Sequence, residues 1–155
     1  MSCWLMKSEP REFSIDDLVK AENQLVPWFG VRNYLARNFM RDQMKMGDNV
    51  LFYHSSCAEP GIAGLAYVAS AAYPDVTQWK AKSKYYDPKA TKDNPRWMLV
   101  DVKLMKKTRL LSLAEMRAQK SLASMTILQR GNRLSITPVT PSELKAVLAL
   151  IGERF

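Results

Sequence analysis

The chain has 155 residues, 47% of them apolar, and a net charge of +8. That length suits one domain over residues 1–155 with a sizeable core, and the apolar content excludes a disordered chain. No run approaches the roughly 18 apolar residues of a membrane span, and Cys3 and Cys57 lie too far apart in sequence to suggest a disulfide framework.

A single histidine and no CxxC spacing argue against a metal centre, and no cofactor is expected. The opening MSCWLMKSEP lacks the apolar segment of a signal peptide, so an intracellular protein, cytoplasmic or nuclear, is expected. The charge is uneven. Residues 76–109 hold ten Lys or Arg against three Asp. Such a surplus attracts polyanions, nucleic acid before an acidic membrane surface. No membrane partner is expected, and a monomer is.

In chain order, residues 3–7 (CWLMK) read as a short strand, and Lys7-Ser8-Glu9-Pro10 closes it as a loop. A helix then begins after Ser14, with Asp17 able to complete a capping box and Phe13 able to staple to Leu18. Residues 27–40, PWFGVRNYLARNFM, are the stretch that the chain is organised around. Pro27 restricts the backbone before Trp28, Gly30 permits a sharp turn, and a helix follows. At helical spacing Asn33, Arg37 and Arg41 share one face, and Val31, Leu35 and Phe39 another. A flat ring beside a helix start and forked donors suits a nucleobase and its phosphates. The plain alternative is a core tryptophan beside a solvated arginine face.

Residues 45–48 read as a turn, 49–54 (NVLFYH) as a strand, 55–61 as a loop and 62–71 as the strand's antiparallel partner. Gly64 and its alanines leave room for something to approach the backbone, either a ligand or a packed helix. Residues 73–95 are long, polar and basic, a functional or mobile connection. Residues 96–106 alternate, with Met98, Val100, Val102 and Leu104 on one face. A short helix begins at Leu113, and residues 132–139 form the last strand. Thr140, Pro141 and Glu143 start a helix that Gly152 stops. The order predicts an α+β fold: a mixed, mostly antiparallel sheet curled into a barrel, with helices packed outside.

Strand ends cluster at a barrel mouth, and mouths bind ligands. The candidate base pocket is therefore Lys7, Ser8, Glu9, Trp28, Phe29, Tyr53, His54 and Ser55. Candidate phosphate or backbone contacts are Arg32, Asn33, Arg37, Asn38, Arg130, Asn132 and Arg133. The bland readings are a surface ion pair for Lys7 and Glu9, a satisfied histidine for His54 and solvated loop charges for Arg130 and Arg133.

Several ordered blocks (WLMKSEP, SIDD, PWFGVRNYLARNFM, GDNVLFYHSS, PGIAGLAYV, YYDP, PRWMLVDV and RGNRLSITPVT) resemble the EVE domain family. The resemblance covers nearly the whole chain. It implies a PUA-like fold, similar to the YTH domains that read N6-methyladenine in RNA. It implies a non-catalytic module that holds a modified base, methylated or hydroxymethylated, of DNA or RNA in an aromatic pocket. Trp28 matches the first tryptophan of the YTH cage. Phe29 sits where those domains place a small polar residue. The second wall is open among Tyr86, Tyr85 and Trp79. The rival implied by other PUA-like domains is an amidohydrolase acting on modified nucleosides through Lys7 and Glu9.

Overall fold

The computed structural model describes residues 1–155. Its strands are β1 (Cys3–Ser8), β2 (Leu25–Pro27), β3 (Asn49–His54), β4 (Gly61–Val68), β5 (Tyr73–Pro74), β6 (Met98–Leu99), β7 (Asp101–Ser112) and β8 (Ile136–Val139). Its α-helices are α1 (Ile15–Lys20), α2 (Tyr34–Asn38), α3 (Leu113–Arg117) and α4 (Pro141–Ile151).

Six strands form one sheet in the order β2-β7-β4-β3-β1-β8, and β5 pairs with β6 separately. Only β1 and β3 run parallel; the other pairs are antiparallel. Alternate residues of β1 serve opposite faces, as the pleat requires. Trp4 and Met6 join one core cluster with Ile15 and Leu18 of α1 and Ala36 of α2. Cys3 and Leu5 join another with Met116 of α3 and Val147 and Ile151 of α4. The sheet is thus covered on both faces. No helix is long and apolar enough to cross a membrane.

The expected closure into a barrel is not made: β2 and β8 are end strands with no pairing between them. Each is short and carries a proline, Pro27 and Pro138. In the observed ladders both prolines fall at positions whose nitrogen faces away from the neighbouring strand, so neither edge can extend a full ladder. Irregularities between β4 and β7, and between β3 and β4, bend the sheet instead.

The helix starts follow local chemistry. Ser14 and Asp17 form the reciprocal capping box, at 2.8 and 3.1 Å. Thr140 and Glu143 form the second, with Pro141 opening α4 and Gly152 closing it at φ +70°. The turn at residues 45–48 is held by the buried Asp48 carboxylate, which accepts from the Lys45 N–H at 3.0 Å and the Trp4 indole at 3.1 Å.

Other boundaries differ from expectation. The last strand begins at Ile136, because residues 129–135 form a loop with Gly131 at φ +79°. The alternating run splits at Val100, leaving β6 to pair with β5, and β7 continues to Ser112. The Arg-rich helix starts only at Tyr34, with Asn33 as its cap, and widens into a π-helical turn over Phe39–Gln43. Its buried residues are Ala36 and Met40, while Leu35 is 48% exposed. The delayed start and the widened turn leave Leu35 out of the expected inward face, while Val31 is buried and Phe39 packs against the same core cluster.

Gly64 serves packing rather than ligand access. A Cβ there would lie 2.4 Å from Ile15 Cδ1. Gly64→Ala is expected to cost about 1–3 kcal/mol in urea denaturation, with Ile15→Val in the same chain recovering part of it. A Gly64→Ala protein as stable as the parent would refute this packing.

His54 ties the end of β3 to α1, its Nε2 accepting the Ile15 N–H at 3.0 Å. Burial holds its imidazole below the ordinary 6.5. The unfolded chain therefore takes the proton first as pH falls. The stabilisation is complete above the unfolded value and is lost as pH drops through the lower folded one. Stability is expected to decline as pH falls below the ordinary imidazole value, and His54→Gln to flatten that decline. Equal slopes for both proteins would count against it.

Candidate functional site

The parallel pairing of β1 and β3 brings their C-terminal ends together, Ser8 beside His54, and the Ser55 N–H donates to the Ser8 carbonyl at 3.0 Å. Against these ends lies a cavity of about 550 Å³. Its walls come from Lys7-Ser8-Glu9, the loop Trp28 to Asn33, Ser55-Ser56, Tyr85 and Arg133. Five stretches far apart in sequence thus meet at one opening.

Trp28 is 7% exposed. Its N–H donates to the Val100 carbonyl at 2.9 Å, and its ring meets Phe52 edge-on at 5.5 Å. Phe29, by contrast, is 51% exposed and stands against the Tyr85 ring at 5.8 Å, nearly perpendicular. Between them Gly30 turns at φ +87°, and a Cβ there would lie 2.7 Å from the Tyr85 ring. Glycine is required both for the turn and for that approach.

A buried carboxylate fixes this loop. Asp75 accepts from the Gly30 N–H at 2.8 Å, Arg32 Nη1 at 3.1 Å, the Thr77 N–H at 2.9 Å and the Thr77 hydroxyl at 2.5 Å. Arg32 spends its remaining donors on Tyr85 and Val31 carbonyls and the Thr77 hydroxyl. It holds the cavity wall and has no donor left for a phosphate. Gln78, also fully buried, donates to the Asp75 and Trp97 carbonyls and accepts from the Arg96 and Trp97 N–H groups. Asp87 accepts from the Trp97 indole at 2.8 Å, and Trp97 stacks on Tyr34 at 4.7 Å. Residues 73–95 are therefore ordered around polar anchors. Sequence reasoning missed Asp75 and Gln78. The signal was present as the Asp-x-Thr step of an Asx turn.

The remaining candidates are distributed as follows. Lys7, Ser8, Glu9, Trp28, Phe29, Asn33, Ser55 and Arg133 border the cavity. Asn33 does so while its side chain caps α2, accepting from Ala36. Tyr85 borders the cavity, whereas Tyr86 and Trp79 do not. Tyr53 points to the other face of the sheet, where burial raises its phenol. His54 is committed to Ile15. Arg37 donates to the Asn38 amide oxygen and the Arg96 carbonyl, so both Arg37 and Asn38 serve the frame of α2. Arg130 and Asn132 line a neighbouring cleft. Burial lowers the Lys7 ammonium, and Glu9 pairs with Arg11 at 3.7 Å.

Residues 2–150 match the EVE domain family. The chain is 45% identical over 166 residues to human Thymocyte nuclear protein 1, covering 96% of this chain and 73% of that one. Its structure is similar to that of human THYN1 protein in complex with 5-methylcytosine containing DNA, with a TM-score of 0.93, 42% identity and full coverage of both chains. It is also similar to a hypothetical protein from Leishmania major, with a TM-score of 0.92, 47% identity and coverage of 98% and 95%. A match over nearly every residue places this chain in the EVE domain family.

Proposed function

We propose that this chain binds nucleic acid by taking a modified base, 5-methylcytosine in DNA above all, out of the stack and into the Trp28 cavity. The observation that carries this reading is the convergence of Lys7-Ser8-Glu9, Trp28-Phe29, Ser55 and Arg133 on one opening. The DNA-bound human relative supports the choice of base. The same reading takes the bent, mostly antiparallel sheet as PUA-like and similar to that of YTH domains. The cavity lies at the ends of its parallel strands.

The chemistry divides by magnitude. Stacking on an aromatic face supplies about 1–3 kcal/mol per base and is blind to sequence. A buried methyl adds about 0.8 kcal/mol, roughly fourfold in affinity. Strong discrimination therefore needs polar groups that an incorrect base leaves unpaired. Lys7, Ser8, Glu9 and Ser55 are the polar groups at the cavity wall. The hydrolase reading gains no support from the carboxylate, which pairs with Arg11 rather than with Lys7.

A panel of single- and double-stranded DNA and RNA, with cytosine, 5-methylcytosine, 5-hydroxymethylcytosine, adenine or N6-methyladenine, tests the function directly. Preference for 5-methylcytosine DNA that persists at high salt is expected. Binding that ignores modification and collapses with salt would overturn the reading. Trp28→Leu keeps an apolar side chain but removes the flat ring; thermal melting checks that the chain still folds. The substitution is expected to weaken modified oligonucleotides by about 1–3 kcal/mol, and unmodified ones far less, because only the modified base settles in the cavity against the ring. Equal losses for both would remove Trp28 from the pocket.

Asp75→Asn leaves Arg32 without its buried counter-charge. It is expected to cost about 3 kcal/mol or more in urea denaturation and to weaken the modified oligonucleotide alongside. Unchanged stability and affinity would show that the loop does not depend on Asp75.

A further inference from the structure

A second cleft, of about 640 Å³, adjoins the base cavity and shares Lys7, Ser55 and Ser56 with it. Its charged lining is wholly cationic: Lys7, Arg117 at the end of α3, and Arg130. None of the three forms an ion pair with a carboxylate. The amide nitrogen of Asn132, another lining residue, is buried without a hydrogen-bond partner. The Gln129 amide is already spent on the Ala123 and Met125 carbonyls. What is left is three unpaired cations and an orphaned donor, with no carboxylate to answer them. Donors so arranged call for an anion.

The loop at residues 129–135 straddles both spaces. Arg133 borders the base cavity, and Arg130 and Asn132 border the cleft, with Gly131 at φ +79° between them. An occupant of the cleft therefore lies directly beside an occupant of the cavity. We infer that the cleft binds a backbone phosphodiester flanking the flipped nucleotide, gripped by Arg117, Arg130 and Asn132. The inference rests on the base-binding reading for the position of the strand. It adds Arg117, which lies outside the Trp28 loop and the first strand, as a strand-positioning residue. A backbone contact of this kind fixes register without reading sequence.

The test uses the full chain and a duplex carrying one 5-methylcytosine, with affinity measured across a salt series. Arg117 is exposed on the surface, so Arg117→Gln should fold, and thermal melting checks this. The expected result is weaker binding of methylated and unmethylated duplexes by the same factor, with the salt slope reduced by about 1. A neutral methylphosphonate at the flanking phosphate should weaken the parent protein, and weaken Arg117→Gln by a smaller factor, since only Arg130 and Asn132 remain to lose their contacts. An unchanged slope, or a shift in the preference for methylation, overturns the inference. So does binding of inorganic phosphate that depends on Arg117 while the duplex slope stays unchanged, since the cleft would then take a free anion. If the parent protein ignores methylation, the base-binding reading fails. If it discriminates but Arg117→Gln keeps the parent slope, only the cleft assignment fails.

Discussion

The candidate site depends on one buried carboxylate. Asp75 is wholly inaccessible, yet it accepts four hydrogen bonds, two of them from the loop that carries Trp28. A lone ionised carboxylate in that position would be very costly. Here the guanidinium of Arg32 answers its charge, and N–H and hydroxyl donors fill its lone pairs. Removing either partner strands the other. The pair therefore couples two segments separated by more than 40 residues. It lets a glycine turn, which has no side chain to pack, keep a single conformation.

Pre-organisation follows from this arrangement. Trp28 is held by Phe52 below and by its own N–H on Val100, while Tyr85 lies flat on Gly30. On the proposed function, the ring would not have to be ordered when a base arrives, and less stacking energy would go into immobilising the wall. Phe29, half exposed beside it, is the accessible element of the rim. Rigid wall and accessible rim come from adjacent residues because Gly30 reverses the chain just after them.

Much of this was legible in the sequence, and the failures have physical causes. Caps at Ser14 and Thr140, strands at residues 3–7 and 49–54, and the joining of KSE, PWFG and Ser55 at one opening all follow from local chemistry or from strand ends. Open edges were not legible, since alternation says which face is buried but not whether the last strands pair. Pro27 and Pro138 did carry that message at the edges. The arginines misled for a different reason. Arg32 and Arg37 look alike as free donors in a sequence, but Asp75 and Tyr85, which hold Arg32, come from a segment that carried no periodic signal, and Arg37 meets the Arg96 carbonyl just beyond it. Asn33 was placed on a helix face, though its short amide makes it a better cap than an interior residue. Tyr53 and His54 were assigned to the pocket by position at a strand end. The pleat sends one to the opposite face and the other to α1.

The same accounting changes what the net charge means. Within residues 76–109, Lys84, Lys106, Lys107 and Arg109 are all in ion pairs. Lys103 donates to the Asn23 carbonyl. The cations without such partners are Lys80, Lys82, Lys89, Lys92 and Arg96, and all of them ride on the segment that Asp75, Gln78 and Asp87 anchor. Within residues 76–109 the free positive charge therefore sits on the element that also supplies Tyr85 to the cavity. Long-range attraction and short-range recognition share one anchored segment. Their energies still differ in kind, because exposed lysines are screened by salt and an enclosed ring is not. On the proposed function, this division would place selectivity in the Trp28 cavity and the salt-sensitive attraction on the basic segment.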